Sequence, residues 1–195
     1  MGTWLFIGFL VLVLVYLIAV YNKLIALRNR FKNGFAQIDV QLQRRHDLIP
    51  SLVESAKAYL GHEKDTLTQV IEARNQAESA RKSARANPEN AGAMTALGRA
   101  EGLLSGSLAN LYAVSEQYPE LKANETIAQL MEELSSTENR VGFARQAFND
   151  LVMDYNTYRE QFPNNFIAGL FGDFKAAQQL ELENPEARKA VKVSF

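Results

Sequence analysis

His46 and His62 are the only two imidazoles in this 195-residue chain, and there is no cysteine. A first-row metal needs three or four ligands at close helical spacing. His62 has Glu63 beside it, and His46 sits 16 residues earlier, which is too sparse for a ligand set. Both are expected to be surface or packing residues, with no metal site. The missing thiols exclude disulfides, cysteine catalysis and zinc–thiolate centres. Carboxylates recur at Glu132, Glu133, Glu138, Asp150, Asp154 and Glu160. Di-metal bundles use Glu-x-x-His on facing helices, and no such motif occurs. These acids read as a solvated face with Arg140 and Arg145 as partners. No glycine-rich phosphate loop follows a strand. No catalytic, cofactor-binding or metal residue is therefore expected, and the chain does not read as an enzyme.

One polar concentration remains, Gln37, Asp39, Gln41, Gln43, Arg44, Arg45 and Asp47. It reads as a solvated face broken near Pro50, with a charged seam for a partner or a second copy as the alternative.

The elements that position these groups start with an apolar stretch. Residues 1–22 carry no charged side chain, while all 43 charged residues follow. About 20 apolar residues cross a bilayer as a helix. A cleaved signal peptide has a basic start, a shorter apolar core and small residues at its cleavage site, which this stretch lacks. A permanent anchor over 1–22 is expected. Lys23, Arg28, Arg30, Lys32, Arg44 and Arg45 follow it against the single acid Asp39. Basic flanks stay cytoplasmic, which places the body inside, with a periplasmic body as the alternative. The net charge of −1 gives no reason to expect nucleic acid.

Apolar residues then recur in steps of three and four: Leu24, Leu27, Phe31, Phe35, Ile38, Leu42, then Ile49, Leu52, Ala56, Leu60, Leu67, Val70, Ala73 and Ala77. No turn cluster separates this stripe from the anchor, so one continuous helix is expected. Its register slips at 43–50. Pro50 lacks an amide hydrogen, and Asp47 is placed to cap a new helix. A helix over about 23–85 with a break near 47–50 follows, reaching ~90 Å if it only kinks. Asn87-Pro88-Glu89 reads as the start of a helix over 88–118, with Gly98, Gly102 and Gly106 as a close-packing seam. Asn124 caps a run over 124–161. Residues 163–195 read as a short amphipathic helix over Phe166–Phe174 capping the bundle, or resting at the membrane interface, and then a tail. The expected fold is all-α: a transmembrane helix continuous with a four-helix-bundle-like soluble domain over 23–162.

Phe35–Glu54 resembles the central signature of the LemA family of bacterial membrane proteins. So do Tyr118–Glu125 and Glu132–Arg140, and the resemblance extends from Tyr21-Asn22 to Phe195. It implies one N-terminal anchor in the bacterial inner membrane and a helical bundle, with no catalytic residues. Some relatives take part in forming magnetosome membranes. Others occur with partner membrane proteins, including ones bearing TPM domains. The expected function is a membrane-anchored scaffold that self-associates or docks other membrane proteins. A peptide-binding or protein-binding module in envelope signalling or stress response is the alternative. Expected partners are the lipid bilayer, further copies of the chain, and such membrane proteins.

Overall fold

The structure, a computed structural model, describes residues 1–61 and 63–181. His62 and residues 182–195, which include the tail 183–195, lie outside the described residues. The fold is all-α, as expected, with no strand among the described residues. The helices are α1 (Gly2–Ala56), α2 (Lys64–Ala86), α3 (Ala91–Ser115), α4 (Pro119–Ala123), α5 (Glu125–Glu160) and α6 (Asn164–Phe171).

α1 is a single 55-residue helix, about 80 Å long at 1.5 Å per residue. Its residues 2–16 are exposed, and its burial begins at Leu17 and Val20. It does not break at 47–50. Asp47 lies inside the helix, and the chain reverses between the end of α1 and the start of α2 instead. Leu60, fully buried, fixes that turn. The expected helix over 23–85 is thus two antiparallel helices, and no 90 Å rod forms. α3 begins at Ala91, capped by Asn90, whose side chain accepts from Ala93 N–H at 3.0 Å. Asn87 instead accepts from the amide of Glu89 in the preceding turn, at 3.2 Å. Asn124 caps α5 as expected, accepting from Ile127 N–H at 3.1 Å.

α1, α2, α3 and α5 form an up-down-up-down bundle in which α1 packs mainly on α5 and α2 mainly on α3. Its core is two clusters. The one nearer the apolar end of α1 contains Leu24, Phe31, Phe35, Phe148 and Tyr155. Phe31 and Tyr155 have ring centroids 5.1 Å apart, and Phe35 and Phe148 5.8 Å. The far cluster contains Ile49, Leu52, Val70, Leu104, Leu111 and Leu134.

After α6 the chain turns at Gly172, whose φ of 66° favours a residue without Cβ. Residues 173–181 then strap the bundle. Phe174, Ala177 and Leu180 are buried. Asn156 accepts from the Ala177 amide at 2.9 Å and donates to its carbonyl at 2.8 Å. Asn149 does the same for Leu180, at 2.8 and 3.2 Å. Three strap residues thus cover seven helix residues, about 10 Å, which requires extended backbone.

Candidate functional site: a charged waist in the bundle

Between the two apolar clusters lies a layer of charge. Asp39, Arg45 and His46 of α1, Arg81 of α2 and Glu101 of α3 are all buried. Each occupies the inward stripe of its helix. Asp39, Arg45 and His46 fall in step with Phe35, Ile38, Leu42, Ile49 and Leu52. Arg81 falls in step with Ala77 and Ala84, and Glu101 with Leu97 and Leu104.

Glu101, with no exposed surface, is the hub. Arg45 donates to its Oε2 from Nη1 at 3.1 Å, and His46 Nε2 meets its Oε1 at 2.8 Å. The other guanidinium nitrogen of Arg45 donates to Ser105 Oγ at 2.8 Å and lies 3.6 Å from Glu138 of α5. Arg45 therefore joins three helices. A second pair closes the layer, with Arg81 donating to Asp39 at 2.6 Å and Arg85 3.6 Å away. Buried ions are tolerated only when paired and hydrogen bonded, and each sign here has its partner on a facing helix.

Pro50 explains one more contact. A proline within a helix leaves the carbonyl four residues earlier without its helical donor. That carbonyl belongs to His46, and Arg74 Nε of α2 donates to it at 3.1 Å. The helix passes through Pro50 because α2 supplies the missing hydrogen bond. Arg74→Met is expected to cost about 1–3 kcal/mol, the usual penalty for orphaning a buried acceptor. Pro50→Ala restores an N–H in α1 and should recover most of that loss. Chemical denaturation of the two variants and their combination checks this. Equal losses with and without Pro50 would refute it.

The polar cluster at 37–47 is therefore not simply a solvated face. Gln37, Gln43, Arg44 and Asp47 are exposed, whereas Asp39 and Arg45 point inward. His46 is a buried ion-network residue rather than a surface one. Among the described residues, Glu133 and Glu138 pair with Arg44 and Arg45 across the bundle, not with Arg140 and Arg145. No group of three or more His, Asp or Glu able to hold a metal ion occurs among the described residues. The arrangement can align helices.

The LemA family model matches residues 34–195. The chain belongs to the LemA family. Magnetosome protein MamQ 2 and magnetosome protein MamQ 1 of Paramagnetospirillum magneticum are each 24% identical to it over 176 residues, covering 83% of this chain and 64% of theirs. Magnetosome protein MamQ of Magnetospirillum gryphiswaldense is 24% identical over 167 residues, covering 78% and 61%. The chain spans less than two thirds of the length of these curated relatives. The LemA match starts within α1 and takes in the waist and the strap, but not the apolar stretch before it.

A latch holds the α2–α3 turn of this LemA chain to α1. Glu89 receives hydrogen bonds from Arg28 and an ion pair from Lys32 at 2.9 Å. The Arg28 hydrogen bonds, with help from Lys32, hold the Glu89 carboxyl below its usual range against the opposing effect of burial. Its folded value thus lies below its unfolded one. The latch stabilises fully above the ordinary carboxylate range and is lost as pH falls through the folded value. Below about pH 4, the wild type should lose more stability than Glu89→Gln does. Acid titrations followed by circular dichroism would show this as a shallower acid limb for the variant.

Proposed function

We propose that this LemA-family chain is a non-enzymatic, membrane-anchored scaffold whose body docks further copies of itself or other membrane proteins. The observation that carries this is the continuity of α1. One helix carries both the membrane-length apolar stretch and a core-packing face, with no linker between them. A tilt of the body is then transmitted to the anchor. Copies confined to one bilayer meet at raised effective concentration, so modest side contacts suffice for assembly. The basic flank after the anchor supports a body on the cytoplasmic side of the inner membrane. The magnetosome names of the relatives agree with a role in membrane organisation. Extraction of the native protein in mild detergent, followed by mass measurement, tests the reading. Assemblies larger than one chain, or a co-purifying membrane protein, are expected. Strict monomers without partners would overturn it.

A second reading is a binding module for an extended peptide. It is favoured by the way Asn149 and Asn156 each grip both main-chain groups of one strap residue. Saturable binding of a synthetic 173–181 peptide to the full chain would support it, and no binding would count against it.

A further inference from the structure

The apolar part of α1 and its free part do not end at the same residue. The hydrocarbon core of a bilayer is about 30 Å thick and takes about 20 helical residues. α1 stays uncharged through Asn22, yet the unbroken run of exposed residues, 1–16, ends before Leu17. Those 16 residues span only about 24 Å. The missing turn lies beside α6. The Tyr16 hydroxyl donates to Asn164 at 3.2 Å, and the Tyr21 ring meets Phe171 edge-on at 5.0 Å. α6 is therefore held beside the end of the uncharged stretch of α1.

Its surface fits that position. Residues 161–172 carry no charge. Ile167 and Ala168 face the bundle, while Phe162 (80%), Phe166 (68%) and Leu170 (78%) are exposed. Phe162 and Phe166 pack edge-to-face at 5.9 Å, so they form one apolar surface. Exposed Phe143 on α5, by contrast, lies well along the body from the anchor.

We infer that Phe162, Phe166 and Leu170 are bedded in the bilayer interface beside the anchor, so that α6 is a second membrane contact. Free interfacial helices usually carry Lys and Arg for attraction to headgroups. α6 does not need them, because the anchor already holds it at the surface and its insertion is intramolecular. Two contacts on one rigid body fix its tilt and rotation against the membrane. This rests on the membrane-crossing reading of α1 and not on the scaffold reading.

The chain has no cysteine, so a single introduced one can be labelled uniquely. Phe166→Cys, Leu170→Cys, Phe143→Cys and Leu10→Cys would each carry an environment-sensitive nitrobenzoxadiazole fluorophore. The full chain is reconstituted in phosphatidylcholine–phosphatidylglycerol vesicles without doxyl lipid, with lipid doxyl-labelled near the headgroup (shallow), or with lipid labelled deep in the acyl chain, the last to read the label at 10. Labels at 166 and 170 should be blue-shifted relative to the label at 143 and quenched by the shallow doxyl lipid. Water-like emission at both positions would overturn the proposal. So would a blue shift without lipid quenching, which would mean that a second protein chain covers the patch. The label at 10 separates the two levels. Its quenching without quenching at 166 and 170 removes the α6 contact alone, and its own failure to quench removes the membrane-crossing reading.

Discussion

Arg45→Met is expected to destabilise the protein by about 3–5 kcal/mol, the cost of breaking a buried ion pair and leaving one charge behind. For a chain of this size that lowers the melting temperature by roughly 6–20 °C, readable by circular dichroism in detergent. The charge left behind is Glu101, which has no exposed surface and keeps only His46 as a donor. Combining Arg45→Met with Glu101→Gln removes the orphaned charge, and the amide oxygen still faces His46 Nε2. The double variant should recover more than half of the loss. Additive losses would show that the two residues do not act as a pair. A loss below about 1 kcal/mol for Arg45→Met would show that the waist is hydrated rather than dry.

Gly98→Ala and Gly106→Ala are expected to act with opposite signs although they lie two turns apart on α3. A Cβ at Gly98 would lie 2.0 Å from the backbone oxygen of Glu181, while one at Gly106 meets nothing within 4 Å. Gly106→Ala should stabilise by about 0.5–1 kcal/mol through helix propensity alone. Gly98→Ala must push out the end of the strap, exposing Leu180 and loosening its Asn149 hydrogen bonds. Burying a leucine is worth about 1.5–3 kcal/mol. The Leu180 amide should therefore exchange with solvent roughly 10- to 100-fold faster. Unchanged exchange at Leu180 would mean that the strap end does not depend on this contact.

Gly98 also shows where the sequence pattern misleads. The Gly98, Gly102 and Gly106 spacing reads as a seam for a neighbouring helix, yet Gly98 admits the strap and Gly106 faces open space. Nothing near α3 in the sequence announces a segment some 80 residues later. The Pro50 region misleads in a related way. The stripe looks interrupted between Leu42 and Ile49 because charged residues fill its inward positions, as Arg45 and His46 do. Keeping the three-and-four spacing and ignoring residue type continues the stripe without a slip. Charged residues on stripe positions in three helices, with opposite signs at 39 and 81 and at 45 and 101, were the readable signal of the waist.

The sequence by itself determined the uncharged membrane-length stretch, the all-α class, the Asn124 cap, the apolar faces of the helices and the family. These follow from local spacing and composition, which the chain carries residue by residue. Tertiary structure alone decided that α1 passes through Pro50, that the charged stripe positions meet as pairs, and that the strap fills the groove along α5. It also decided that α6 lies beside Tyr16 and Tyr21 of α1. Each of these depends on a partner distant in sequence. Arg74 supplies the hydrogen bond that Pro50 denies, Glu101 neutralises a charge that α1 could not bury alone, and Asn164 and Phe171 meet tyrosines of α1 some 150 residues earlier.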